Sequence, residues 1–326
     1  MPLKLVYVTA STKPRIASYR MAADTVRLWR ESGHDAVLAH VGDIPADGDA
    51  YVFCKCIPKE RPRPDALVAF HMHDFWDERR PPFRFILEQL SDAPVDVLVP
   101  CSKPYEQKLT ETAKSLGIGI RIAWCPENPV FAVPPAGKDP PTDGPFRVGF
   151  HGTGSSLRFL SGEPARGLER VAKRYPLEVV VLTTLPRVAD DEAIKTMLRL
   201  RRARVRYVQW TLETHEHEIA SWDAAILPAS HDSDFSFIKS NNRLREAARL
   251  GVPVVVQRGN PDMEWFSEDG RNCMVAGDSE EWYLKTRRVL RYAGTRRTLR
   301  GRASKRLMAV YGPEAVMERW KAVLDR

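Results

Sequence analysis

Short runs of β-branched and aliphatic residues alternate with stretches of helical period from one end of the chain to the other. "KLVYVTA", "DAVLAH", "AYVFC", "ALVAFHM", "VDVLVP" and "IGIRIAW" are strand candidates in the first half. "FRVGFHG", "LEVVVLT", "RVRYVQW", "DAAILPA", "VPVVVQR" and "NCMVA" form a second series. Several of these runs hold unbroken apolar stretches, so both faces of each strand must be covered, as in parallel sheets. Helices fit between them; "SYRMAADTVRLWRESG" has Ser18 as its candidate cap and Gly33 as its stop. The alternation predicts an α/β protein with two Rossmann-like, doubly wound parallel sheets.

The pattern breaks once. "ENPVFAVPPAGKDPPTDGPF" carries six prolines and no periodicity, and reads as a connection between domains. Residues 1–140 then form a first domain and 141–310 a second. The closing "YGPEAVMERWKAVLDR", about 311–326, is an amphipathic helix after Gly312-Pro313, expected to pack back on the first domain.

At 326 residues, with 43% hydrophobic and 28% charged, the chain can bury two cores. No apolar stretch reaches the roughly 18–20 residues of a membrane span, and the N-terminus reads as a first strand rather than a signal peptide. Five cysteines without paired zinc-type spacing point to reduced thiols and a cytoplasmic protein. Cys54 and Cys56 fall on one face of a strand, where core packing is the plainer reading than metal binding. The net charge of +8 leaves three partner classes: nucleic acid, an anionic membrane surface, or a phosphorylated ligand. Aromatics do not interleave with the arginine runs, so nucleic acid is not expected. "RRPPFRF" keeps peripheral contact with an anionic inner membrane face open.

The stretch "IKSNNRLREAARLGVPVVV" joins these themes. "VPVVV" is a central parallel strand, and Gly251 ends the helix before it. In a doubly wound sheet ligands gather at the carboxyl ends of strands. A helix starting near Asn241 therefore aims its free N–H groups at a ligand crevice. Ser240, Asn241 and Asn242 cap it or leave those donors to a phosphate, and Lys239 adds a mobile charge. Glu246 lies about 7.5 Å further along the axis. A carboxylate there would repel phosphate but suits a vicinal diol such as a ribose; the alternative is a surface pair with Arg243 or Arg249.

This stretch resembles the segment of family 4 glycosyltransferases of the GT-B fold that reads Lys-Ser-Asn-x-Lys-x-x-Glu, then Ala-x-Gly-x-Pro-Val-Val. "VRYVQWTLETHEHEIASWDAAILPAS", "VLVPCSKPYEQKLTETAKSLG", "IAWCPENPV", "RVGFHGTGSSLRFLSG" and "ASYRMAADTVRLWRESGHDA" resemble further parts of that family in the same order. The resemblance implies transfer of a hexose or related sugar from a nucleotide-diphosphate sugar. The acceptor would be a sugar, a lipid-linked molecule or another group, in polysaccharide or glycoconjugate synthesis. Retention of configuration is implied too, with neither cofactor nor metal. Glu246 would hold the ribose, and Lys239, Ser240 and Asn241 the diphosphate or donor sugar. Gly152 and Thr153 would approach the phosphates, with Arg158 also on the donor side, and Trp210 and Thr211 would meet the base.

Two departures stand out. The family often has an acid eight positions before the helix glutamate, where this chain has Ile238, with Asp232 and Asp234 upstream. The usual Arg…Lys pair is represented only by Arg158 and Arg166, and Lys239 would partly substitute. A GT-B protein that binds nucleotide or partner without catalysis, and a nucleotide-sugar epimerase, are the alternatives. In "HMHDFWD", His71, His73 and Asp74 are too few for a metal site without a further ligand. Together with Lys239, His73 and Asp74 are the catalytic candidates by resemblance, on the acceptor side. His215 and His217 are expected to be exposed.

Overall fold

A computed structural model describes residues 3–13, 17–72, 82–133, 135, 145–184, 191–230 and 234–325. His73, Asp74 and Asp232 lie outside the described residues, as does the middle of the proline-rich stretch. The chain forms two units. The first takes in the described residues of Met1–Phe131, Phe237–Ser240 and Met308–Arg326; the second takes in Ala132–Ser236 and Asn241–Leu307.

The first unit holds strands β1 (Lys4–Thr9), β2 (Asp35–His40), β3 (Ala50–Cys54), β4 (Leu67–Met72), β5 (Val97–Pro100) and β6 (Arg121–Ile122). All pair in parallel in the order β2-β1-β3-β4-β5-β6. β3, β4 and β5 are buried at every residue, whereas β2 and β6, at the edges, are not. The apolar run thus marks a strand with neighbours on both sides. "IGIRIAW" yields only two strand residues, because an edge position has one neighbour to pair with. β3 stops at Cys54, and Lys55 turns the chain at φ +60°, so Cys54 and Cys56 do not share a strand face. Burial pushes the Cys56 thiol up to about 12.

The helix Ala17–Glu31 begins before Ser18, which is therefore inside it rather than capping it. Gly33 follows at φ +87°, a conformation that favours glycine, and its N–H closes on the Arg30 carbonyl. The last helix, Pro313–Leu324, contributes Val316, Met317, Trp320 and Val323 to the same core as Leu5, Tyr7 and Trp29. Trp320 meets Trp29 edge to face at 5.1 Å, a favoured aromatic geometry. Trp124 to Glu127 are buried, and the Val130 N–H donates to the Tyr311 carbonyl at 2.7 Å. The start of the proline-rich stretch is therefore packed, since proline fixes the backbone without needing a periodic element.

The second unit holds β7 (Phe146–Thr153), β8 (Leu177–Thr184), β9 (Arg204–Gln209), β10 (Ala224–Leu227), β11 (Val254–Gln257) and β12 (Met274–Ala276). They pair in parallel in the order β12-β11-β10-β7-β8-β9. The strand order reverses between β7 and β10. Right-handed connections leading away in opposite directions put helices on both faces and leave a crevice at the carboxyl ends there. Gly149 in β7 makes room for a neighbour: a Cβ at this position would lie 1.9 Å from Trp222. Among the described residues no helix is long and apolar enough to cross a membrane.

Candidate functional site

β7 ends on His151, Gly152 and Thr153, and β10 ends on Leu227, followed by Pro228. Arg243, in the helix Asn242–Arg249, spans the two ends: its guanidinium donates to the His151 carbonyl at 3.2 Å and to the Pro228 carbonyl at 3.1 Å. Among the described residues it has no carboxylate partner, and burial lowers its pKa to about 10. The strand-order reversal thus holds a cation bonded to two carbonyls rather than, among the described residues, to a carboxylate. A Cβ at Gly152 would come within 3.3 Å of that guanidinium, so glycine leaves room beside it.

One turn further along the same helix is Glu246. Its flanks Leu244, Ala247 and Ala248 are buried, as their apolar character requires. The carboxylate faces two imidazoles: Oε2 lies 3.2 Å from His151 Nδ1, and Oε1 lies 3.0 Å from His215 Nε2. Burial alone would push its pKa up, but the hydrogen bonds from His151 and His215 outweigh burial and hold it well below the usual carboxylate range. The side chain keeps 27% of its surface exposed, so an ionised carboxylate with lone pairs to spare is presented at the carboxyl end of the sheet. The surface-pair alternative is not what forms: Arg249 pairs with Glu216 at 2.7 Å, and Arg243 turns inward.

His215 is the clearest departure from the sequence reading, which left it exposed. It is 3% exposed, whereas His217 is exposed. In the helix His215–Ala220, His215 and Ile219 lie four residues apart on the buried face, and Trp222 follows. His215 Nδ1 lies 3.0 Å from the carbonyls of both Thr211 and Leu212. Since its Nε2 faces Glu246, every partner is an acceptor, and only the doubly protonated ring serves them all. Burial lowers the His215 pKa, but the bond to Glu246 more than offsets this and the net shift is upward.

Trp210 stands over His215 with ring centroids 5.0 Å apart, and the Trp210 backbone N–H donates to the Thr183 carbonyl. Thr183 donates through its hydroxyl to the Gly152 carbonyl at 2.7 Å, tying the ends of β7, β8 and β9 together. Trp222, admitted by Gly149, lies 5.8 Å from the His151 ring. Gly152, Trp210, Thr211 and Glu246 are thereby linked through His151, His215 and Arg243, three residues the sequence reading did not assign to the site. Thr153 is exposed and bonds Ser155 and Ser156, and the exposed Arg158 stacks on Phe159 at 4.9 Å.

The "KSNN" donors differ from expectation. Ser240 donates to the buried Glu127 carboxylate at 2.9 Å. The Asn241 N–H donates to Asp262 Oδ2 at 2.6 Å, and Asn241 is 2% exposed. Both are occupied, and the first-unit segment Phe237–Ser240 carries Lys239. Ile238 is fully buried and Asp234 exposed. His71, weighed as a metal ligand, is instead sealed inside β4, bonded to Tyr7 at 2.6 Å and 3.3 Å from the Cys125 carbonyl. Among the described residues no cluster is arranged to hold a metal.

No protein-family model matches the sequence, and no curated protein matches it. Solved structures do. A glycosyltransferase from Rickettsia africae ESF-5 is 11% identical, with 100% of this chain and 99% of that one covered and a TM-score of 0.68. Alr3699/HepE from Anabaena, in complex with UDP-glucose, is 14% identical over 98% of this chain and 99% of that one, with a TM-score of 0.65. A TarM variant from S. aureus, in complex with fondaparinux, α-GlcNAc-glycerol and UDP, is 11% identical with a TM-score of 0.57. That match covers 85% of this chain, which spans only about half (55%) of the TarM chain. The chain has the α/β fold of these proteins, two parallel six-stranded sheets flanked by helices in the GT-B architecture.

Proposed function

We propose that the chain is a glycosyltransferase that moves a sugar from a nucleotide-diphosphate sugar to an acceptor. The observation that carries this reading is the partly exposed, ionised Glu246 carboxylate one helical turn from the Arg243 cation at the strand-order reversal of the second unit. A ribose diol can donate two hydrogen bonds to such a carboxylate, while a diphosphate seeks the cation. Trp210 and Thr211 are assigned to the base, and Gly152, Thr153 and Arg158 to the phosphates. UDP or UDP-glucose is bound in two of the fold neighbours, so uridine donors are the first to try.

In the reaction the bond from the anomeric carbon to the diphosphate breaks and the nucleoside diphosphate leaves with the electron pair. The acceptor oxygen bonds to that carbon, and its proton passes to the oxygen of the departing diphosphate. Stabilising the departing charge is the main demand on the protein. Arg243 supplies positive charge for it, and Lys239 is assigned to the same group by resemblance, so the chemistry proposed calls for no metal. Ser240 and Asn241 are assigned to the same group by resemblance, although each already has a partner, and His73 and Asp74 to the acceptor. We take the reaction to retain anomeric configuration.

Binding of UDP-, GDP- and ADP-sugars measured by calorimetry tests the reading. At least one should bind, and Glu246→Ala should weaken it about 10–100-fold, the loss of roughly 1.5–3 kcal/mol of charge-assisted hydrogen bonding. Unchanged affinity would refute the assignment. The buried Ile238, in place of the acid eight positions before Glu246, favours one second reading: a protein that binds nucleotide without catalysis. Binding with neither hydrolysis nor transfer across an acceptor panel would select it.

A further inference from the structure

We propose that His151 and His215 are positioning residues for Glu246, a two-imidazole clip that holds the carboxylate ready for the donor and makes donor binding depend on the protonation of His215. The inference rests on the proposed nucleotide site.

The geometry specifies the clip. Each carboxylate oxygen of Glu246 is engaged by a different ring, one from β7 and one from the helix His215–Ala220. A carboxylate oxygen has two lone pairs, so each oxygen keeps one for an incoming hydroxyl. Held at both oxygens, the group cannot rotate, and its spare lone pairs stay at the spacing of a carboxylate edge. That arrangement accepts from two neighbouring hydroxyls at once, with no rotamer entropy left to lose on binding.

The rings are themselves held. His151 Nε2 lies 3.2 Å from the Arg243 carbonyl, and its ring lies 5.8 Å from Trp222. His215 is anchored by the Thr211 and Leu212 carbonyls and covered by Trp210. The charged groups facing His215 are Glu246 from the opposite helix and Glu216 on its own helix, the latter paired with Arg249. His151 faces the same carboxylate, and the Arg243 guanidinium lies against the His151 carbonyl. A neutral His215 has one N–H for acceptors on both sides. Either the bond to Glu246 or the bond to the turn must then fail. The His215 pKa is raised on folding, so the clip is complete at low pH and opens as pH rises through the folded value.

Two substitutions separate the bonds. His215→Gln keeps an N–H near the Nε2 position without charge or titration, whereas His215→Asn keeps a donor near Nδ1 and abandons Glu246. UDP-glucose affinity is measured by calorimetry between pH 6 and 8.5 on the full chain. The wild type should lose about tenfold across this range, the scale of one charge-assisted hydrogen bond. His215→Gln should bind within about threefold of the low-pH wild type and show a weaker pH dependence than the wild type, since His151 also lies between two acceptors, while His215→Asn should be about tenfold weaker throughout. Wild-type affinity and pH profile in His215→Asn would overturn the clip. Histidine ring NMR titrations decide it independently of any nucleotide: in Glu246→Gln one elevated histidine pKa should fall towards about 6.5. If none moves, the clip is wrong. If one moves but UDP-glucose binds nowhere on the wild type, the uridine-donor reading fails and the donor-positioning role fails with it.

Discussion

Each unit sets histidine near the carboxyl end of a parallel strand, yet the two settings differ. In the first unit, His71 is 0% exposed, shares a hydrogen bond with the neutral Tyr7 hydroxyl, and packs 5.3 Å from the Trp320 ring. Burial, the largest influence on Tyr7, pushes its pKa well up and keeps it neutral. In the second unit, His151 and His215 hold an ionised carboxylate that remains 27% open to solvent. A sealed, hydrogen-bonded pair adds to stability and specifies a core. A charged group left partly open, with its charge held by neighbours, is what a ligand can use.

Substitutions can break or sharpen that contrast. The largest effect is expected at the sealed site: His71→Ala leaves a cavity and removes the Tyr7 hydroxyl's imidazole partner, and should lower the unfolding free energy in urea by about 3 kcal/mol. Intact stability with lost nucleotide binding would reverse the contrast. At the open edge a smaller effect should depend on pH. The folded Glu246 pKa is depressed, so its stabilisation is present above the unfolded carboxyl value and lost as pH falls through the folded one. The folded His215 pKa is raised, so its share is present below the unfolded imidazole value and lost as pH rises through the folded one. The difference between wild type and Glu246→Gln should be about 1–2 kcal/mol near pH 5.5, between the unfolded values of about 4.3 and 6.5, and shrink at higher pH. A difference that grows at pH 8.5 would contradict this sign. The smallest effect belongs to Arg249→Ala, whose partner Glu216 is half exposed: about 0.3 kcal/mol, measured in the same unfolding assay and reduced by salt.

How legible this was depended on how local each cause is. "VPVVV" and the "VVVL" of "LEVVVLT" announce interior strands because burial on both faces favours an unbroken apolar run, whereas the edge strand β6 has no such signature. Glu246 could be singled out as an acid on a helix whose other face is apolar. Its partners could not. His215 was misjudged from its spacing to His217, when Ile219 and Trp222 set which way the helix turns. His151 offered one signal, an imidazole directly after the buried apolar run Val148–Phe150. Arg243 looked like one more surface arginine, and only the crevice between β7 and β10 decides its direction. Ser240 was read as a phosphate donor because Glu127, 113 residues away in sequence, is invisible to a local pattern.

The central claim is that Glu246 grips a ribose, and it is tested most directly by comparing a nucleoside diphosphate with its 2′,3′-dideoxy analogue. Wild type should prefer the ribose form at least about tenfold, and Glu246→Ala should lose that preference. An equal preference in both proteins would place the diol elsewhere and contradict the account.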